Sequence, residues 1–418
     1  MNYYLGIDFG TSGARGIVIE RDKTILLTVQ YSLEHLSKNN LALSWQTALY
    51  SLIEQIPLEI RKQLQAIAIN GTSATVLLCD AYGNPLDEPI LYNDGRGVTV
   101  LETIKKLTND NQIVVSATSS LAKLIWWSKQ TVFTEAKYFL HQADWLAFLL
   151  HGRLGISDYH NALKLGYDVE RLCYPDWLQN LPFSNLLPQI LAPGTIIDSV
   201  TPNICDHRFS LSPNCLVCTG TTDSIAAFLA SGASQPGEAV TSLGSTLVLK
   251  LLSTTKIDDA SSGIYSHRLG SLWLTGGASN TGGAVLRHFF SDEELINLSQ
   301  KIDSQQPSLL EYYPLLSQGD RFPINDPNLE PKLQPRPSNR VEFLHGLLES
   351  MARIEALGYQ KLQQLGADKL TQVYTAGGGA KNLTWSKIRQ RYLQVPVTSA
   401  INTEAAYGTA LLALNLAV

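Results

Sequence analysis

Two short apolar runs, separated by a glycine-rich polar turn, begin the chain. The apolar segments are residues 5–9 and 14–19, and the turn between them contains the sequence Gly-Thr-Ser-Gly at positions 10–13. Apolar runs of this length, interrupted by turn residues, are typical of β-strands. The pattern predicts a β-hairpin with Asp8 near the end of its first strand.

The composition of this turn predicts a phosphate-binding site. Glycine lets backbone N–H groups approach phosphate oxygens, and the hydroxyls of Thr11 and Ser12 add donors. The Asp8 carboxylate would repel a phosphate unless a cation lay between them, and Mg²⁺ bridges carboxylates to phosphates. We therefore expect the hairpin to bind the phosphates of a nucleotide, with a plain turn as the alternative interpretation.

Strands and helices alternate through the first half of the chain, which predicts an α/β fold. A short strand at 67–69 runs into the polar turn 70–73, and a strand at 215–219 leads through Gly-Thr-Thr to Asp223 and an apolar helix at 224–230. Polar turns at strand ends are where α/β proteins place ligands. An Asp at the start of a helix is usually an N-cap. In a chain with phosphate-binding turns, its position after a buried strand favours a catalytic role.

The second half repeats the hairpin. Residues 237–250 again form a strand, a turn with glycine and hydroxyls (Gly244, Ser245 and Thr246) and a strand, with Ser242 at the position equivalent to Asp8. The repeat predicts two related domains, 1–230 and 231–418, flanking a cleft that holds one triphosphate.

A third glycine-rich turn follows the predicted strand 372–376. Three consecutive glycines, at 377–379, would admit a flat group such as adenosine against the backbone, and a flexible turn is the alternative.

The composition argues against a nucleic-acid-binding protein and against a membrane-spanning one. Of 418 residues, 44% are hydrophobic and 17% charged, and the net charge of −5 argues against a nucleic-acid surface. No apolar run approaches the roughly 20 residues of a membrane span. The odd number of cysteines, five, and the absence of an amino-terminal leader predict a cytoplasmic protein. Cys215 and Cys218 have zinc-like spacing, but we expect them to be buried strand residues.

Taken in order, these segments resemble the FGGY family of carbohydrate kinases. The resemblance extends over nearly the whole chain and rests on the following segments: 6–15, 70–73, 91–96, 144–168, 220–223, 242–246, 313–323 and 377–379. It implies two actin/hexokinase-like (ribonuclease H-like) ATPase domains flanking a cleft. Within the family, the sequence is most similar to the short D-ribulose kinases of cyanobacteria and plant plastids.

The resemblance also implies roles for individual residues. Asp223 matches the catalytic base, and Asp8 the residue that orients the metal and the substrate. The implied ATP-binding residues are Gly10, Thr11, Ser12, Arg15, Gly244, Ser245, Thr246, Gly377, Gly378, Gly379 and Asn382. Thr72 and Ser73, with Asp8 and Asp223, would bind the sugar. Trp385 either packs against the face of the purine or belongs to the hydrophobic core.

The expected activity is ATP- and Mg²⁺-dependent phosphorylation of D-ribulose to D-ribulose 5-phosphate, with D-xylulose as the alternative substrate. Thr72-Ser73 replaces the Arg-Glu pair of glycerol kinases and the Met-His pair of bacterial xylulokinases, which argues against glycerol and against a standard xylulokinase site. An actin-like or chaperone-like ATPase and a regulatory binder of sugar and ATP are the alternatives from other classes. We expect a monomer or small homo-oligomer whose partners are the sugar and ATP, without nucleic acid or membrane.

Overall fold

The computed structural model of this chain describes residues 2–33, 40–108, 113–206 and 209–415. The chain divides into two compact units. Unit 1 comprises Met1–Ala230 and Glu404–Val418, and unit 2 comprises Ser231–Thr403. Each unit is α/β and has its own mixed β-sheet.

The described strands are β1 (Tyr3–Phe9), β2 (Gly13–Glu20), β3 (Ile25–Ser32), β4 (Leu64–Gly71), β5 (Val76–Cys79), β6 (Tyr138–His141), β7 (Ile156–Asp158), β8 (Gln189–Leu191), β9 (Ile196–Ser199), β10 (Leu216–Cys218), β11 (Thr221–Thr222), β12 (Glu238–Leu243), β13 (Leu247–Ser253), β14 (Tyr265–Leu269), β15 (Leu272–Ser279), β16 (Gln372–Ala376) and β17 (Val397–Ser399).

The described α-helices are α1 (Leu41–Gln55), α2 (Leu58–Arg61), α3 (Leu101–Thr108), α4 (Ser120–Trp127), α5 (Gln142–His151), α6 (Tyr159–Ala162), α7 (Asp176–Gln179), α8 (Pro202–Cys205), α9 (Asp223–Ala230), α10 (Gly283–Phe289), α11 (Asp292–Ser299), α12 (Arg340–Gln364), α13 (Leu383–Leu393) and α14 (Ala405–Asn415). Among the described residues, no helix has the length and apolar character needed to cross a membrane.

The main sheet of unit 1 has the order β3-β2-β1-β4-β10-β9, and β11 also pairs with β4. Strands β1 and β2 form the predicted antiparallel hairpin, whereas β1 and β4 run parallel. Because β4, β10 and β11 are also mutually parallel, the carboxyl ends of β1, β4 and β11 lie at one edge of this sheet.

Helix α14 packs on the sheet of unit 1, although it lies at the carboxyl end of the chain. Small residues make this contact possible: a Cβ atom built on Gly6 of β1 would lie 2.1 Å from the backbone nitrogen of Ala410. A Cβ on Gly408 would lie 1.8 Å from the carbonyl oxygen of Ala226 in α9. Residues 404–418 therefore belong with unit 1, which differs from the predicted range 231–418 for the second domain.

Unit 2 repeats the central topology of unit 1. Its sheet has the order β14-β15-β13-β12-β16-β17, in which β12 pairs antiparallel with β13 and parallel with β16. These are the relationships that β1 has with β2 and β4. The internal repeat predicted from the two hairpins is thus present in the strand pairing, with Ser242 at the position of Asp8.

Candidate active site

Asp8, Asn70 and Thr221 lie side by side across three strands of unit 1. Asp8 of β1 is paired with Asn70 of β4, and Asn70 is paired with Thr221 of β11. Asp223 follows two positions after Thr221 and is the first residue of α9. Strand pairing therefore brings the two predicted catalytic carboxylates to the same edge of the sheet.

The environment of Asp8 opposes its ionisation. Burial, followed by the negative charge of Asp223, raises the pKa of Asp8 to about 6. The guanidinium of Arg15 and the side chain of Asn70 act in the opposite direction. The strand pairing places both carboxylates at one edge of the sheet, and the charge of Asp223 acts on Asp8 there.

One oxygen of Asp8 lacks a partner within the described part of the chain. Its Oδ1 atom is buried there without a hydrogen bond. An unpartnered buried carboxylate oxygen fits a cation ligand, since Mg²⁺ is commonly held by one or two carboxylates together with waters and phosphate oxygens. Among the described residues there is no group of three or more His, Cys, Asp and Glu side chains that could hold a metal by themselves.

The first glycine turn is closed by its own backbone and presents its hydroxyls outward. The N–H of Gly10 donates to the carbonyl of Gly13 over 3.0 Å. Thr11 and Ser12 are exposed at the tip, where their side chains are accessible to a ligand. Arg15 forms an ion pair with Glu404, a partner that the sequence did not suggest.

In the turn after β4, the hydroxyls of Thr72 and Ser73 differ in their hydrogen bonding. The Thr72 hydroxyl lies 2.5 Å from that of Thr75 and donates to Gln142 Oε1 over 3.1 Å, so internal bonds occupy it. Ser73 is half-buried, and its hydroxyl makes no hydrogen bond with the described residues. Ser73 thus remains the better candidate of the two for contacting a substrate, whereas Thr72 shapes the turn.

A buried lysine that sequence reasoning missed fixes this turn. Lys123 of α4 donates from Nζ to the carbonyls of Ala74 and Leu91, at 2.6 and 2.7 Å. Burial lowers the pKa of Lys123 to about 7. Ala74 adopts a left-handed conformation with φ of 66°, which is unfavourable for a residue with a Cβ atom. The lysine therefore holds a strained residue directly after Ser73.

In unit 2 the structure brings together the second hydroxyl turn and the triple glycine. A Cβ atom on Gly377 would lie 2.8 Å from the Leu243 carbonyl and 3.1 Å from the nitrogen of Gly244. Gly377 also has a positive φ of 81°. Around Gly378 there is open space, because a Cβ there would meet no atom within 4 Å. The backbone of residues 377–378 is therefore accessible directly beside the turn 244–246.

A cationic side chain also reaches this turn. Arg287 of α10 is exposed and donates from Nη2 to the hydroxyl of Ser245 over 3.0 Å. The sequence signal that could have indicated Arg287 is the pair Gly282-Gly283, which lies shortly before it. An arginine at a turn of this composition supplies positive charge where a phosphate would lie.

Two predicted residues near the triple glycine have structural partners. Asn382 caps α13 by accepting from the N–H of Trp385, and its Nδ2 donates to Ser299. Trp385 is only 2% exposed and packs in the core of unit 2, which decides between the two interpretations left open for it. Asn382 therefore stabilises the loop through both ends of its amide.

The comparisons with known proteins agree with this arrangement. The family model described as "FGGY family of carbohydrate kinases, N-terminal domain" matches residues 3–230, and that for the C-terminal domain matches residues 239–417. This chain belongs to the FGGY family of carbohydrate kinases. The relatives include a xylulose kinase of Staphylococcus xylosus, 23% identical, with 99% of this chain and 90% of the relative covered. An autoinducer-2 kinase of Yersinia enterocolitica is 24% identical, with 97% of this chain and 84% of the relative covered.

Solved structures have the same fold. A xylulose kinase of Brucella ovis aligns with a TM-score of 0.86 at 22% identity, covering 99% of this chain and 90% of the other. A glycerol kinase of Plasmodium falciparum, solved with ADP, aligns with a TM-score of 0.85 at 17% identity, covering 99% and 89%. The FGGY kinase therefore has the predicted two-domain α/β fold of the actin/hexokinase type.

Proposed function

We propose that this FGGY kinase transfers the γ-phosphoryl group of ATP to the terminal hydroxyl of a ketopentose, with D-ribulose as substrate and D-ribulose 5-phosphate as product. The observation that carries the proposal is the placement of Asp8 and Asp223 at one edge of the unit 1 sheet by the pairing of β1 and β11 with β4. Phosphoryl transfer requires an acceptor held in line, neutralisation of charge and a group that accepts the hydroxyl proton. Two nearby carboxylates with different surroundings can divide these tasks.

In this mechanism Asp223 accepts the proton of the attacking hydroxyl while a bond forms between that oxygen and the γ-phosphorus. The bond from the γ-phosphorus to the oxygen of the leaving ADP breaks in the same process. General-base catalysis of this kind typically contributes about 10²–10⁴-fold to the rate. Asp8 would hold Mg²⁺ through the carboxylate that has an unpartnered oxygen. When bound, the ion supplies neutralisation of the phosphate charge.

We further propose that the glycine-rich turns bind the nucleotide. Gly10, Thr11, Ser12 and Arg15 would contact phosphates, as would Gly244, Ser245 and Thr246, and Arg287 joins this set because it donates to Ser245. Gly377, Gly378 and Gly379, with the loop that Asn382 stabilises, would receive the adenosine. Accessible backbone at Gly378 supports that assignment.

The choice of D-ribulose rests on the resemblance to the short D-ribulose kinases, and the turn 72–73 adds an argument against glycerol and against a standard xylulokinase site. Ser73 offers a small hydroxyl that makes no hydrogen bond with the described residues. Bacterial xylulokinases, which this sequence resembles, carry a larger Met-His pair at this turn. A polar pocket discriminates between epimers through the hydroxyl groups that it leaves unpaired. D-Xylulose is the second candidate, because a relative named a xylulose kinase covers 99% of this chain.

A substrate panel tests the proposal. ADP release is measured with D-ribulose, D-xylulose, aldopentoses, polyols and glycerol at equal concentrations, and the phosphorylated product is identified by mass spectrometry. We expect the highest kcat/KM with D-ribulose. A higher kcat/KM with D-xylulose would reassign the substrate within the same mechanism, whereas ATP hydrolysis independent of any sugar would contradict the kinase assignment.

A further inference from the structure

Lys164 lies at a position of unit 1 that the sequence and the comparisons leave without a role. It belongs to the 3₁₀ turn Leu163–Leu165, which continues directly from helix α6. This turn packs against α4, the helix that carries Lys123. Helix α6 itself packs against β11, the strand that leads into Asp223.

Side-chain bonds hold α6 firmly against the catalytic strand. His160 Nδ1 lies 2.7 Å from the hydroxyl of Thr221, two positions before Asp223. At the start of the helix, buried Asp158 accepts from the backbone N–H groups of His160 and Asn161, at 2.8 and 3.1 Å. The Asn161 amide adds a bond of 2.6 Å to the same carboxylate. Lys164 is therefore placed by a rigid turn rather than by a loose loop.

Lys164 is half-buried and has no bonding partner in the described ranges. It makes no hydrogen bond or ion pair with residues 2–33, 40–108, 113–206 or 209–415, and only part of the side chain reaches solvent. Burial lowers the pKa of Lys164, and the negative charge of Asp223 offsets part of that shift. Lys123 provides the contrast, since two carbonyls at 2.6 and 2.7 Å satisfy its amine.

An ammonium group carries three donors, and the described residues use none of those of Lys164. Because the described residues supply no acceptor, a ligand that replaces solvent beside the amine can supply one. His160, four positions before Lys164, contacts Thr221, two positions before Asp223, so a ligand whose reacting hydroxyl meets Asp223 has other oxygens close to this part of the chain. A polyhydroxylated acceptor has hydroxyl or carbonyl oxygens on the carbons next to the reacting one.

We propose that Lys164 binds the acceptor substrate, donating to an oxygen adjacent to the hydroxyl that Asp223 deprotonates. This inference rests on the proposed kinase function and deepens it by assigning a second substrate-binding group. The acceptor class is then a sugar or polyol with oxygens on neighbouring carbons. A simple alcohol would leave the Lys164 donors unsatisfied.

The test uses steady-state kinetics of the full chain with D-ribulose and D-xylulose as probes. Lys164→Met should raise the KM of the better pentulose about tenfold to hundredfold, which is the size of a charge-assisted hydrogen bond. The KM for ATP should stay within about twofold. Lys164→Arg should recover part of the loss, and Lys129→Met, an exposed control, should match the wild type.

Three outcomes would overturn the inference. The first is an unchanged KM for sugar in Lys164→Met, and the second is a rise in the KM for ATP instead, which would assign the amine to the phosphates. The third is a lowered unfolding midpoint in Lys164→Met that Lys164→Arg does not restore, which would assign it a structural role. Absence of pentulose phosphorylation by the wild-type protein would instead contradict the proposed function, so the two failures are distinguishable.

Discussion

Asp8 and Asp223 stand at the carboxyl ends of strands on opposite sides of β4, and the charge of Asp223 raises the pKa of Asp8. Nearly the whole length of unit 1 separates the two residues in sequence. Because β1 and β11 both pair in parallel with β4, the two carboxylates nevertheless lie at the same edge of the sheet. Two half-buried carboxylates that repel each other destabilise the fold when both are ionised, and a bound metal can relieve that repulsion.

The first prediction concerns the stability of Asp8→Asn. In the folded protein the pKa of Asp8 is raised from 3.8 to about 6, so ionisation of Asp8 destabilises the fold increasingly as the pH rises through this interval. At pH 8 without metal or nucleotide, Asp8→Asn should increase the free energy of unfolding by about 1–3 kcal/mol. Below about pH 4 the gain should vanish. Urea unfolding in EDTA, followed by tryptophan fluorescence, measures both values.

Asp22→Asn is the matched control for that experiment. Hydrogen bonds from Thr24 hold the pKa of Asp22 below its ordinary value, so this exposed carboxylate favours the fold when ionised. Asp22→Asn should bring no gain in stability at pH 8. A loss of stability at pH 8 in Asp8→Asn would contradict the account of a destabilising carboxylate.

The second prediction concerns the buried ion pair of unit 2. Arg389 donates to both oxygens of Glu355, at 2.6 and 2.7 Å, and to the hydroxyl of Thr375 on β16. Thr241 of β12 donates to the same carboxylate, so the network joins the strands that precede the second and third glycine turns. Arg389→Met leaves the buried Glu355 carboxylate without its cationic partner, and should cost about 3–5 kcal/mol.

The exposed pair of Lys105 and Glu102 is the comparison, since its N–O distance of 2.7 Å is equally short. Lys105→Met should cost much less than Arg389→Met because solvent screens the exposed pair. Thermal unfolding of both variants measures the difference. Equal midpoints for the two would show that burial does not govern the contribution of Arg389.

The third prediction separates two neighbouring glycines. A Cβ atom on Gly378 would enter open space, so Gly378→Ala should fold as the wild type does. If adenosine lies against this backbone, the added methyl should raise the KM for ATP about tenfold. In Gly379→Ala the Cβ would lie 2.6 Å from the side chain of Leu243 and 2.8 Å from that of Trp385, and the fold should be destabilised.

Unfolding midpoints and the KM values for ATP and sugar test this pair of variants together. The KM for sugar should stay unchanged in Gly378→Ala. A wild-type KM for ATP in that variant would remove the triple glycine from the nucleotide site.

Local patterns were sufficient to predict the hairpins, the internal repeat and the position of Asp223 between a strand and a helix. These features depend on residues near one another in sequence, and the strand pairings bear them out. The attachment of α14 to unit 1 was not predictable in this way, because Gly6 and Ala410 meet only in the folded chain. The same applies to Lys123, whose acceptor at Ala74 is 49 positions away.

The roles of individual side chains were also predictable only where they depend on local sequence. The resemblance implied that Thr72 binds the sugar, whereas in the fold its hydroxyl bonds to Gln142 and Thr75. Trp385 could be placed in the core only once its packing was known. Residues that act through tertiary partners therefore require the structure, whereas turn composition alone indicates where ligands are expected.

The most direct test of the central claim compares Asp223→Ala with the wild type in two measurements on the same preparation: affinity for ATP and pentulose-dependent ADP formation. We predict nearly unchanged ATP affinity, and a decrease in kcat of about 10²–10⁴-fold, because the variant lacks the group that accepts the hydroxyl proton. Undiminished pentulose-dependent turnover in Asp223→Ala would contradict the assignment of Asp223 as the base and, with it, the proposed mechanism.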